Sequence, residues 1–134
     1  MKTIKKLLCI VIALISIFAF NACEKTYTPA TEMDLITIML DFCDNKLNAK
    51  ENHEGQRYRI TATATSDITE DYVVVTQYTD AGSFRVELYY NEDQIEFVKT
   101  LTRDDTVTFE GTLSRIVTTY WMCFEDVVFI SEVD

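Results

Sequence analysis

The chain has 134 residues, a formal net charge of −10 and an apolar fraction of 48%. That length suits one domain with one modest core, and the acidity disfavours nucleic acid and anionic headgroups, whose binding depends on Lys and Arg. The four cysteines form no C-x-x-C and no Cys/His cluster, so no metal or cofactor is expected.

Lys2, Lys5 and Lys6 precede an apolar stretch from Leu7 to Phe20, and the segment closes as Phe20-Asn21-Ala22-Cys23. A basic head, an apolar middle and a small residue before the break make residues 1 to 22 a secretory signal. The apolar run falls short of the ~20 residues that a spanning helix needs. It resembles the bacterial lipoprotein type of signal, cut before a cysteine that is then diacylated. The resemblance implies lipidation at Cys23, attachment to a membrane through that lipid, and an envelope location, at the outer membrane. Losing the three lysines would leave nine basic residues against 22 acidic ones, a net charge of −13. Cys9 would leave with the signal. Cys43 and Cys123 would remain, expected mainly as core thiols, with a disulfide between them as the minority alternative that an exported compartment permits.

Residues 23 to 30 read as a mobile polar tether, and residues 31 to 134 as the domain. Thr31-Glu32-Met33-Asp34 has the pattern of a capping box, so a helix is expected over 31–49, with Ile36, Met39, Leu40, Cys43 and Leu47 as its apolar stripe. His53, the sole histidine, lies among polar residues and reads as a solvated loop residue. Gly55 marks the end of the helical region.

At Gln56 the period changes to two. Tyr58, Ile60, Ala62 and Ala64 alternate with Arg59, Thr61, Thr63 and Thr65, which predicts a strand over 56–66 with the threonines outward. A second strand is expected over 71–78, and Asp80-Ala81-Gly82-Ser83 as a hairpin turn with Gly82 at positive φ. The third strand, 83–91, places Phe84, Val86, Leu88 and Tyr90 on one face and Arg85, Glu87 and Tyr89 on the other. Asn91 reads as the cap of a short helix over 92–101. Strands over 105–114 and 119–131 follow. The near-continuous apolar character of the last implies burial on both faces or a bulge.

This order of elements is that of a mainly β, five-stranded, OB-fold-like antiparallel barrel with an N-terminal helix and a short helix between strands 3 and 4. Residues 55–61 (Gly-Gln-Arg-Tyr-Arg-Ile-Thr), 101–113 (Leu-Thr-Arg-Asp-Asp-Thr-Val-Thr-Phe-Glu-Gly-Thr-Leu) and 124–130 (Phe-Glu-Asp-Val-Val-Phe-Ile) resemble bacterial exported OB-fold domains of the tRNA-anticodon-binding-like family. Ala62 and Asp104 stand where that family often has glycine, and Val127 where it often has cysteine. An OB-fold binds oligosaccharides or proteins as readily as nucleic acid, through strands 2 and 3 and the flanking loops.

The expected function is therefore a non-catalytic, lipid-anchored binding module for a glycan or an envelope protein. Its ligand face would carry Tyr72, Tyr78, Arg85, Tyr89, Tyr120 and Trp121, which join flat apolar area to a polar handle. The alternative is a structural envelope lipoprotein without a soluble ligand. Nucleic-acid binding suits the acidity poorly. Hydrolysis by paired carboxylates is also weakly supported, because Asp104-Asp105, Asp93 with Glu96 and Glu125-Asp126 fit a turn, a solvated helix and a strand border.

Overall fold

The computed structural model describes residues 27–63, 65–80 and 82–131. The signal segment, Cys23 and the first part of the tether lie outside them. The elements are β1 (Thr31–Glu32), α1 (Leu35–Asp44), α2 (Lys46–His53), β2 (Arg57–Ala62), β3 (Thr65–Ile68), β4 (Tyr72–Thr79), β5 (Gly82–Tyr90), a 3-10 turn (Glu92–Gln94) running into α3 (Ile95–Val98), β6 (Val107–Thr118) and β7 (Trp121–Ile130). The strands form one seven-stranded sheet in the order β1-β2-β6-β7-β5-β4-β3.

The sheet is mixed, not wholly antiparallel as expected. β5 runs parallel to β7, with Arg85, Val86, Glu87 and Leu88 beside Trp121, Met122, Cys123 and Phe124, and β1 runs parallel to β2. Nor is the first strand continuous. β2 ends at Ala62 and pairs with β6, while β3 begins at Thr65 and pairs with β4, so one stretch of chain serves both sides of the sheet. This phase change carries Thr65 from the expected outer face to full burial. Its amide N–H and its Oγ1–H both donate to the Asp105 carbonyl at 2.9 Å, and the Asp104 N–H donates back to the Thr65 carbonyl at 2.7 Å. Thr65 is thus bonded into β3 and to the turn that leads into β6. The Asp104-Asp105 stretch is the expected turn, and Asp104 takes φ 72 there.

One core fills the interior: Ile60 and Ala62 from β2, Val73 and Val75 from β4, Phe84, Val86 and Leu88 from β5, Phe109, Leu113 and Ile116 from β6, and Met122, Phe124, Val127 and Phe129 from β7. The inward positions of β7 step from 122 and 124 to 127 and 129. Asp126, at φ 51, supplies the intervening bulge that the apolar run implied. β6 extends to Thr118, through what reads as a loop in sequence, because three register shifts let its partner residues stay in phase with β7.

The N-terminal helix differs most from expectation. Asp34 is the N-cap, its carboxylate accepting from the Ile36 N–H at 2.8 Å, while Thr31 belongs to β1. The expected single helix is two. Asn45 breaks it at φ −154 and caps α2 through its side chain, which accepts from the Asn48 N–H at 3.1 Å. The buried stripe is Leu35, Ile38, Met39 and Phe42, which places larger side chains in the core than the expected stripe does. Leu40, Leu47 and Cys43 are consequently exposed. The tether is not free from Tyr27 onward: the Arg57 guanidinium lies 4.3 Å from the centre of the Tyr27 ring, and the Met33 N–H donates to the Arg59 carbonyl.

His53 is buried rather than solvated. It ends α2 between two partners, Asp41 Oδ2 at 2.7 Å from Nε2 and the Tyr58 hydroxyl at 2.8 Å from Nδ1. The ring thus bridges α1 and β2, with Nε2 against the Asp41 carboxylate and Nδ1 against the Tyr58 hydroxyl. Burial, with Asp41 nearby, raises the Tyr58 pKa and keeps the phenol a donor. His53→Leu leaves that buried hydroxyl unpaired and should cost about 1–3 kcal/mol in urea unfolding. Adding Tyr58→Phe should recover part of the loss, because it removes the orphaned group.

Candidate functional site

The outer face of the sheet carries the site. On β4, β5 and β7, the residues that alternate with the core face away from it: Tyr72, Val74 and Tyr78; Arg85, Glu87 and Tyr89; Trp121, Cys123 and Glu125. Such a face normally lies open to water. Here Glu87 is only 6% exposed, and Val74 and Cys123, its neighbours in register, are buried too, though neither belongs to the interior core.

Both oxygens of Glu87 are engaged. Arg85 donates to Oε1 from Nε at 3.0 Å and from Nη2 at 2.8 Å, and the Tyr89 hydroxyl donates to Oε2 at 2.9 Å, with the Cys123 thiol 3.7 Å from the same oxygen. Burial alone would raise the carboxyl pKa. The bonds from Tyr89 and Arg85, and the Arg85 charge, outweigh it and leave Glu87 below its ordinary value. The converse holds for Tyr89: its bond to Glu87, then burial and the adjacent negative charge, push the phenol up to about 12. Burial also raises the Cys123 thiol, opposed by the Arg115 guanidinium beside it. This thiol stays protonated at neutral pH.

Of the six residues selected from sequence, four meet around this carboxylate. Tyr72 lies opposite Tyr89, ring centres 5.3 Å apart, Arg85 and Tyr89 bind Glu87 directly, and Trp121 lies beside Arg85 in register. Tyr120 occupies the turn before β7 and is 57% exposed; its carbonyl accepts from the Arg85 N–H at 2.8 Å. Tyr78 is 65% exposed at the hairpin end, opposite Ser83 and apart from the cluster. Cys43 and Cys123 are free thiols: Cys43, expected in the core, is exposed on α1, whereas Cys123 is buried, though on the outer side of the sheet rather than in the interior core.

Residues absent from that selection complete the site. A groove of about 330 Å³ opens beside Glu87, lined by Tyr89, Ser114, Arg115, Cys123 and Glu125. Glu87 was legible, since it alternates between Arg85 and Tyr89 on an outer face. Arg115 was hidden between the expected strands 105–114 and 119–131, in a stretch that is strand.

A larger cleft of about 700 Å³ lies between the β3–β4 turn and α3, walled by Glu70, Asp71, Glu92 and Lys99 over Tyr90, Ile95 and Val98. Lys99 is already paired with Glu96 at 2.8 Å. This cleft is roomier, but its charged wall is nearly all carboxylate. The groove beside Glu87 has donors and acceptors around a prearranged polar cluster, and it is the better candidate.

No family model and no curated protein matches the chain. Among solved structures, a lipoprotein from Klebsiella pneumoniae to which nucleic-acid binding is ascribed superposes with a TM-score of 0.55 at 14% identity, over 76% of this chain and 92% of that one. The fold is OB-like. The E. coli protein ygiW gives 0.44 at 13% identity, over 80% of this chain and 100% of that chain. Asparaginyl-tRNA synthetase from Pyrococcus horikoshii gives 0.41 at 17% identity, over 61% of this chain and 20% of the synthetase. Among the described residues no helix is long and apolar enough to cross a membrane.

Because the Tyr89 phenol is held neutral, its contribution to stability is present below pH ~10 and lost as pH rises through about 12. That of Glu87 is present above the ordinary carboxylate range and lost as pH falls through its depressed value. In a spectrophotometric phenolate titration, Tyr89→Phe should remove a late-ionising tyrosine. Glu87→Gln should return Tyr89 towards the usual value.

Proposed function

We propose that this protein is a non-catalytic binding module, held at the cell envelope by lipid on Cys23, at the outer membrane, which recognises a glycan or protein ligand through the outer face of β4, β5 and β7. In finer detail, the fold is read as a five-stranded OB barrel: β2 and β3 are two halves of its first strand, β4 to β7 are the other four, and β1 is an added edge. The observation that carries the functional reading is the cluster around Glu87. A carboxylate buried on a sheet's outer face, fixed by Arg85 and Tyr89 and bordered by Tyr72 and Trp121, is a rigid polar centre within an aromatic rim. Sites that recognise sugars and peptides have this composition.

The lipid anchor rests on the signal segment and Cys23. The Klebsiella structure is named a lipoprotein, which accords with this, although at 14% identity it supports the fold alone. The nucleic-acid binding ascribed to that protein fits this chain poorly. Removal of residues 1 to 22 leaves nine basic residues against 22 acidic ones, and single-stranded binding needs a basic track beside its aromatics. The competing reading is a structural envelope protein without a soluble ligand. Nothing in that reading calls for a buried ionised carboxylate on an outer face.

Full-length protein purified in a zwitterionic detergent should bind in a glycan screen or retain a partner from envelope extract. Trp121→Ala and Tyr89→Ala should each weaken that binding about tenfold or more, with the fold intact by circular dichroism. Unchanged binding in both variants would refute the face, and absence of any binder would favour the structural alternative. Separately, Cys23→Ser should release the protein from the membrane fraction; partitioning identical to the parent would sink the lipid anchor.

A further inference from the structure

The groove beside Glu87 is charged on two sides, by Arg115, whose guanidinium also bears on the Cys123 thiol, and by Glu125. Arg115 is exposed on β6, next to Cys123 in register, and no carboxylate among the described residues lies within 4.0 Å of it. Glu125, exposed on the same face of β7, lines the same groove, and no cation among the described residues lies within 4.0 Å of it. Their opposite charges therefore face one space without bonding across it. The same groove is lined by the Tyr89 side chain, whose hydroxyl is committed to Glu87, and by Ser114, whose hydroxyl donates to the Cys123 carbonyl at 3.0 Å.

The chemistry of this space narrows what can occupy it. An anionic ligand would meet Glu125 and the field of a strongly acidic molecule. A cationic ligand would meet Arg115. A purely apolar ligand would strip water from both charges and return no hydrogen bond, which is costly. A neutral polyol answers both: its hydroxyl oxygens accept from the guanidinium, and its hydroxyl hydrogens donate to the carboxylate. The Tyr89 ring, fixed through its hydroxyl, offers an apolar wall for the C–H face of a sugar.

We propose that the groove formed by Tyr89, Ser114, Arg115 and Glu125 is a subsite for a neutral saccharide, in which Arg115 and Glu125 grip adjacent hydroxyls of one ring that stacks on Tyr89. This rests on the binding-module reading above and commits it to an uncharged glycan. Trp121 lies four positions from Glu125 along the same strand, β7, about 13 Å at strand rise, so the ligand is an oligosaccharide with a second ring on Trp121.

The test uses full-length protein in zwitterionic detergent, which carries no sugar headgroup to compete. The probes are immobilised neutral oligosaccharides, uronate-containing oligosaccharides and a basic peptide, each at low and high salt. A neutral oligosaccharide should bind, with affinity nearly independent of salt. Arg115→Ala and Glu125→Ala should each reduce it about tenfold to a hundredfold, the range expected for losing a hydrogen bond to a charged group. Arg115→Lys should restore part of the loss. Both side chains are exposed, so the variants should melt like the parent. Stronger binding of uronate chains, or binding that collapses in high salt, would overturn the neutral-sugar assignment. Loss of neutral-sugar binding in Trp121→Ala but not in Arg115→Ala or Glu125→Ala would overturn the subsite while leaving the wider face standing. Binding of the basic peptide alone, or of nothing, would overturn the inference altogether.

Discussion

Thr65 joins the two margins of the sheet. It is the first residue of β3, it is fully buried, and it delivers two hydrogens to a single carbonyl, that of Asp105, while accepting one from Asp104. A sheet curled around one core has to satisfy the backbone groups where its margins approach, because a buried unpaired amide or carbonyl costs on the order of 1–3 kcal/mol. Here a β-branched residue with a hydroxyl does so at the point where β2 gives way to β3. The core residues of β2 and β4 face each other because of that junction.

Much of this architecture was legible because alternation is a strong signal where one face is buried. Phe84, Val86 and Leu88 against Arg85, Glu87 and Tyr89 fixed the phase of β5, and the phase of β5 placed the site. Gly82 takes the positive φ its turn position suggested, Gly55 takes one where the helical region ends, and Asp104 does so where the resembled family often has glycine. Failures occurred where long-range contacts override a local pattern. Thr31 to Asp34 reads as a cap until β2 recruits residues 31 and 32 into the sheet. The apolar stripe of the first helix has two alternatives one position apart, and only the size of Leu35, Ile38 and Phe42 against the core decides between them. His53 looked solvated because its neighbours in sequence are polar. Its partners, Asp41 and Tyr58, are brought to it by the turn of α2 and the start of β2, which no window of neighbours reveals.

The candidate site divides in the same way. Aromatic residues on outer strand positions were visible as a class, and four of the six chosen residues gather around one carboxylate. The polar members were not. Arg115 is found only once β6 is known to continue past residue 114, and the burial of Glu87 emerges only from the parallel pairing that sets it beside Cys123. The result is a network in which each member fixes another's ionisation: Tyr89 keeps Glu87 charged, Glu87 keeps Tyr89 neutral, and Arg85 compensates the charge. Such mutual constraint leaves few alternative rotamers, so an arriving ligand has little ordering to impose.

The docking of Tyr27 on Arg57 has a consequence for reach. With β1 paired to β2 just beyond it, the chain is held to the domain from Tyr27 onward. Given acylation at Cys23, as proposed, only residues 24 to 26 would lie between the lipid and this first fixed point, a leash of about 10–14 Å even when extended. The domain would then skim the bilayer at nearly constant height instead of sampling the space above it. Its encounters would be confined to a thin layer, raising the effective concentration of any ligand in the same plane and excluding those displayed far from it.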